Sequence, residues 1–180
     1  MIAAPRDILL TALPPLVSAD SRLLVLGSFP GVASLRAQQY YGHPRNHFWP
    51  ILEAIWPASP RIMGASSYQK RSEWLLEKKI GVWDVYAACE REGSLDSAIR
   101  HAVLNDFSGL KARCPDLQAV LHNGAESFRH SGHVKASLNE GGAGEIDFHK
   151  LPSTSPANAS WSFERKLAAW REVFEKYGLV

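Results

Sequence analysis

The feature that most constrains this chain is a set of short apolar runs that alternate with helical stripes. Arg22 to Ser28 reads RLLVLGS, a continuous apolar run closed by Gly27, as a strand covered on both faces would read. Ile80 to Val85 (IGVWDV), Leu117 to Asn123 (LQAVLHN) and Ile146 to Leu151 repeat the pattern. Between and after them lie helical patterns. Phe48, Ile51, Leu52 and Ile55 share one face behind Asn46, a good N-cap residue type, and a second helix is predicted over Ser67 to Lys79. The third strand runs through Gly124 into a helical AESFRHSGHV segment. The closing helix, Ala159 to Tyr177, carries Phe163, Leu167, Trp170 and Phe174 at steps of three and four. Strands alternating with helices predict a three-layer α/β/α arrangement with a central, mostly parallel four-stranded sheet. Functional loops are then expected beyond the carboxyl ends of the strands.

Length and composition narrow the class. A chain of 180 residues that is 46% hydrophobic and 21% charged suits one globular domain over 1–180, not a disordered tail. Twenty basic residues against 18 acidic ones leave a net charge of +2, so any attraction to a polyanion must be local. Cys89 and Cys114 form no CxxC pair, which argues against thiolate metal sites and a disulfide framework and makes reduced thiols in the cytoplasm the default. No apolar run approaches the roughly 20 residues of a membrane span, and Asp7 and three prolines interrupt the N-terminal stretch before a secretion signal could form.

Two loops follow strand ends and hold the candidate chemistry. The first, Gly27 to Asn46, lacks a sustained period from Phe29 to Arg45 and reads as a long loop, a length usually reserved for function. Its GSFPG start places backbone N–H groups of Gly27, Ser28 and Phe29 where a base or phosphate could approach, although a plain tight turn reads the same way. It matches neither GxxxxGK[ST] nor GxGxxG. Tyr40 and Tyr41 could stack on a base or close over the core. His43 and His47 have no carboxylate nearby in sequence and a proline between them, so no metal is expected. The second loop, Pro152 to Asn158, sets the hydroxyls of Ser153, Thr154 and Ser155 beside Pro156. Such a turn could hydrogen-bond phosphate, or could simply be a surface turn. Both loops lie in stretches free of acid, Asp20 to Glu53 and Asp147 to Glu164, with Arg22, Arg36, Arg45 and Lys150 inside them. Polyanion access is therefore expected there.

GSFPG, YYGHPRNHFW, GVWDV, GSLD, NDF, HNG and LPSTSPAN, in this order from Leu23 to Trp170, resemble the uracil-DNA glycosylase superfamily, and within it the hypoxanthine-DNA glycosylase branch. The resemblance implies a monofunctional DNA glycosylase of base-excision repair. It would extrude a deaminated base into a pocket and hydrolyse its bond to deoxyribose, with no cofactor. It assigns catalysis to Asn46, whose amide can donate and accept but cannot act as a true base, and base binding to Gly27, Ser28, Phe29 and Tyr41. DNA binding falls to Arg45, Ser153, Thr154, Ser155, Pro156 and Asn158. Two positions depart from the family pattern. Phe29 stands where many relatives carry Asp or Asn, and Ser153 replaces the histidine of His-Pro-Ser-Pro. Losing that imidazole weakens stabilisation of a departing uracil and suits a purine. Asn46 and Asn158 also read as helix caps on local pattern alone. The expected partner is DNA containing a deaminated base, met by a monomer away from any membrane. The alternatives are a mismatch-specific uracil enzyme, or a catalytically silent DNA-binding module of the same fold.

Overall fold

The structure is a computed structural model that describes residues 8–59, 67–139 and 145–180. In chain order its elements are β1 (Leu9–Thr11), β2 (Leu23–Gly27), α1 (Val32–Ala37), α2 (Phe48–Ile55), α3 (Tyr68–Glu77), β3 (Ile80–Asp84) and β4 (Tyr86–Glu90). Then follow β5 (Arg100–Leu104), α4 (Leu110–Arg113), β6 (Ala119–Asn123), α5 (Ala125–Phe128), α6 (Ser131–Asn139), β7 (Asp147–Leu151) and α7 (Phe163–Lys176).

The four apolar runs become one parallel sheet in the order β3-β2-β6-β7. Every residue of β2, β3 and β6 is buried, which is why their sequences show no polar alternation. The alternation is instead between two cores. Leu23 and Val25 face α2, α3 and α7, among Trp49, Leu52, Leu75, Trp170 and Phe174. Leu24 and Leu26 face the other way, among Trp83, Phe107, Leu110, Val134 and Leu138. The expected three-layer arrangement is present.

Local boundaries differ for identifiable reasons. The stretch expected as a loop from Phe29 to Arg45 contains α1, six residues that close on Gln38 in the left-handed region, φ 53°. That is too short for a 3.6-residue period to show. The helix expected from Asn46 begins at Phe48, and Asn46 sits one residue before the formal cap, His47. The Asn46 Oδ1 still accepts the Phe48 N–H at 2.9 Å, so it satisfies an orphan donor through a two-residue side-chain turn. The last helix begins at Phe163, not Ala159, and its cap is Ser162, whose hydroxyl accepts the Arg165 N–H at 3.3 Å. Asn158 is therefore not the cap.

A second sheet, antiparallel in the order β1-β4-β5, was not legible in the sequence. Only Val85 separates β3 from β4, and no Gly or Pro marks the passage. The chain leaves the parallel sheet while the N–H groups of Val85 and Tyr86 bond the carbonyls of Gly27 and Ser28. The outer strand β5 is exposed from Arg100 to Val103 and only half-buries Leu104, so its short apolar end shows no alternation.

Candidate functional site

Because β2, β3, β6 and β7 are parallel, their carboxyl ends share one edge of the sheet, with Gly27 paired to Asp84 and Asn123 to Leu151. A cleft of about 1060 Å³ opens along that edge. It is lined by the β2 loop, Tyr40, Tyr41, Asn46, Asp84, residues 94–97, Asn123 to Glu126, and the turn after β7. Of the residues singled out from sequence, Gly27, Ser28, Phe29, Tyr41, Asn46, Ser153, Thr154, Ser155, Pro156 and Asn158 all line it. Arg45 does not, and lies exposed beside it.

The floor is built from polar groups that lack partners. Asp84, at the end of β3, is 4% exposed, and its Oδ2 has no hydrogen-bond partner among the described residues. Burial, then the charge of Asp96, raises its pKa from 3.8 to about 7, against a lowering pull from Arg91. It stands on the same sheet face as Ile80 and Val82, directly against Gly27. A Cβ at position 27 would sit 2.5 Å from Asp84 Oδ1, so only glycine allows the two strands to end together here. Tyr41 Oη lies 3.4 Å from that same point and is also buried without a partner. Burial, then the Asp84 charge, pushes the Tyr41 phenol well above its usual range, so it remains an O–H donor. Asn123 pulls the other way, its amide lying near the phenol while it also bonds Thr154.

Tyr41 packs on the core and also lines the cleft. Its ring lies 4.1 Å from that of Phe48 at a 30° tilt, which ties it to the core, while its hydroxyl reaches the cleft. Tyr40 instead closes over the core, donating its hydroxyl to the carbonyls of Leu13 and Pro14. Phe29 is buried beneath the Arg91 guanidinium, 5.0 Å from the ring centroid. Since the Phe48 backbone nitrogen can only donate, the Asn46 side chain must turn its oxygen inward. Its NH₂ has no hydrogen-bond partner among the described residues and is free to donate into the cleft.

The turn after β7 divides its three hydroxyls unequally. Thr154 is 0% exposed: Asn123 donates to its Oγ1 at 3.0 Å, its N–H donates to Asn123 Oδ1 at 2.9 Å, and its carbonyl accepts the His47 N–H at 2.9 Å. Burial thus takes the Thr154 hydroxyl, expected at the DNA, inside the protein. Thr154 fastens the ends of β6 and β7 to the start of α2, with no hydroxyl surface left for a ligand. Ser153 and Ser155 differ. Their hydroxyl oxygens accept the N–H groups of Ser155 and Ala157, each at 3.2 Å, which leaves each O–H to donate elsewhere. Asn158 Nδ2 donates to the Ser153 carbonyl at 3.1 Å and so braces the turn. Gly124, at φ +100°, lets β6 end tightly against Ser153, whose Cβ would lie 3.0 Å from an added side chain.

The acid-free stretches do not make an acid-free cleft. Asp84, Asp96 and Glu126 all line it, supplied by strands and loops distant in sequence. Asp84 is the residue that sequence reasoning missed. Its signal was a lone carboxylate at the carboxyl end of a buried strand, in IGVWDV, where a charge has no structural reason to be. Among the described residues no group of three or more His, Cys, Asp or Glu could hold a metal ion, and no helix is long and apolar enough to cross a membrane.

Comparison with known proteins gives a consistent result. The model of the uracil DNA glycosylase superfamily matches residues 14–174. The hypoxanthine DNA glycosylase of Methanosarcina barkeri is 38% identical over 163 residues, covering 91% of this chain and 96% of the relative. That of Methanosarcina acetivorans is 37% identical over 161 residues, 89% and 95% of the two chains. A solution NMR structure from Methanosarcina acetivorans, described as a candidate uracil DNA glycosylase, superposes with a TM-score of 0.77 at 34% identity. It covers 94% of this chain and 98% of that one.

Proposed function

The chain belongs to the uracil DNA glycosylase superfamily and is a DNA glycosylase, and on that premise we propose that its principal substrate is hypoxanthine in DNA. The observation that carries the reading is the pair of unpartnered, buried polar groups, Asp84 Oδ2 and Tyr41 Oη, at the floor of a cleft beyond the strand ends. Orphaned buried polar atoms are costly and persist where a ligand completes them. A base swung out of the duplex brings a polar edge to that depth. With a pKa near 7, Asp84 offers an acceptor oxygen to a ring N–H and, when protonated, a donor to a carbonyl. Hypoxanthine presents that combination on its six-membered ring.

Hydrolysis then needs a water oriented at the sugar carbon and relief of the negative charge gathering on the purine. The Asn46 NH₂, left unpaired among the described residues by a capping bond that uses the oxygen, suits the second task by donating to a ring nitrogen. Its oxygen keeps one lone pair that can hold a water proton. Water adds to the sugar carbon as the carbon–nitrogen bond breaks, giving free base and an intact strand with an abasic site. The Ser153 and Ser155 hydroxyls and Arg45 would hold the flanking phosphates, and Tyr41 and Phe29 would bound the base. Two buried cysteines fit a cytoplasmic enzyme whose thiols stay reduced, acting as a monomer.

The test is release of free base from oligonucleotides that each carry one hypoxanthine, uracil, xanthine or normal base. Hypoxanthine should be released fastest, with strand cleavage only after alkali. Preference for uracil would support the mismatch-specific reading. Binding without any release would mark a silent DNA-binding module.

A further inference from the structure

The turn after β7 rests on a cation that forms no ion pair among the described residues. Lys166, in the first turns of α7, is 1% exposed and ranks with Trp49, Trp170 and Phe48 among the largest fully buried side chains. Its Nζ donates to the Ser155 carbonyl at 3.3 Å, and among the described residues no carboxylate lies within 4 Å of it. The nearby imidazole of His47 supplies no counter-charge, since it can only be neutral or cationic; burial and then Lys166 lower its pKa, against a raising pull from Glu164. A buried ammonium held by one carbonyl is a poor structural element. An apolar side chain of the same length would fill the space without the desolvation cost.

The outer side of the same turn supplies what is missing. The Ser153 and Ser155 hydroxyls have their oxygens occupied by backbone N–H groups and their protons free, and both line the cleft. The Ser155 carbonyl that receives Lys166 also accepts the Asn158 N–H at 3.0 Å, so the ammonium sits under the centre of the turn. We infer that Lys166 is the charge of an anion site whose neutral donors are the Ser153 and Ser155 hydroxyls, and that its missing counter-ion is a phosphate of the bound DNA strand. Lys166 is a positioning residue: it acts through Ser155, and its field is poorly screened because protein rather than water separates it from the anion. The inference rests on the reading above only in taking DNA as the ligand.

The test compares the wild type with Lys166→Met and Lys166→Gln, reading thermal midpoints without DNA and affinity for undamaged duplex across a salt titration. Lys166→Met should raise the midpoint by a few degrees, since it removes a desolvated charge. It should also weaken binding by roughly tenfold and flatten the slope of log K against log salt by about 0.9, one phosphate's worth. Lys166→Gln can still donate to the Ser155 carbonyl but carries no charge, and should show the same flattening. A Gln variant with wild-type affinity and slope would overturn the inference, because the hydrogen bond alone would then suffice. So would a lower midpoint with an unchanged slope in Lys166→Met, or failure of both variants to fold, since either outcome makes the lysine a fastener. Hypoxanthine release is read separately. A wild type that cuts hypoxanthine while Lys166→Gln keeps its slope removes this inference alone, and a wild type that binds duplex but releases nothing removes the hypoxanthine reading alone.

Discussion

The floor of the cleft and the turn at its rim use opposite electrostatic devices. The floor is acidic, buried and unsatisfied: Asp84 Oδ2 and Tyr41 Oη have no hydrogen-bond partner among the described residues. The turn after β7 is neutral at its surface, with its hydroxyl oxygens satisfied by backbone and only protons left over. Incomplete hydrogen bonding at depth selects a ligand by geometry, because an unpaired buried group penalises any base that fails to match it. Spare donors at the rim bind any phosphate and position the strand without reading its bases. Chemistry and selectivity are thus expected to fail at the floor, and affinity at the rim.

The largest effect should come from Asn46, which faces the floor. Asn46→Ala should lose roughly 10²-fold or more in single-turnover excision, the scale of removing one preorganised polar group. It should also lose about 1 kcal/mol of stability with the cap. Asn46→Asp separates the two, since it keeps the acceptor for the Phe48 N–H and loses the NH₂. A wild-type rate in Asn46→Asp would reduce Asn46 to a helix cap and break the comparison.

Asp84 supplies the next effect through pH. Its folded pKa, about 7, lies above the unfolded 3.8, so the folded state holds the proton more tightly. Its stability contribution is full below pH 3.8 and is lost as pH rises through about 7. Asp84→Asn should therefore raise the thermal midpoint more at pH 8 than at pH 4. If the protonated acid meets the base, wild-type excision should fall above about pH 7 while Asp84→Asn shows no such limb. An alkaline limb that survives in Asp84→Asn would place the titrating group elsewhere.

Thr154 joins the two regions, and its loss should be felt in folding. Thr154→Val keeps the shape but leaves the Asn123 NH₂ buried without an acceptor. Denaturant unfolding should show a loss of about 1–3 kcal/mol, with base preference unchanged. A neutral result would mean that the strut carries no strain between floor and rim.

The smallest effects belong to the rim. Ser155→Ala should weaken duplex binding several-fold with the salt slope nearly constant, because a hydroxyl releases no counterion. Arg45→Ala should flatten the slope by up to about 0.9 if it touches phosphate. Neither should alter the order of preference among bases. A change in that order would mean the rim also reads the base.

How much of this was legible in sequence depends on the range over which each feature is written. The parallel strands were legible because burial on both faces removes every polar residue from Leu23 to Leu26, a purely local signature. The antiparallel sheet was not, because β4 follows β3 with no punctuating turn and β5 is exposed in all but Leu104. The candidate residues of the two loops, Arg45 excepted, line one cleft, since strand ends in a parallel sheet must share an edge. Which of three neighbouring hydroxyls faces solvent could not be read from Ser153, Thr154 and Ser155. That depends on Asn123, 31 positions away, claiming the middle one.

The sequence by itself determined the layered architecture, the edge at which a site would form and the residue types in its two loops. These follow from periodicity, strand termination and side-chain chemistry acting over a few residues. Only the tertiary structure decided the site's charge. It brought Asp84, Asp96 and Glu126 into a cleft whose own loops are free of acid, and it buried Lys166 beneath the turn. Electrostatics and desolvation act through space, over distances that chain separation does not encode. The pKa of Asp84, the orphaned oxygen beside it and the missing counter-charge of Lys166 therefore exist only once the strands are side by side.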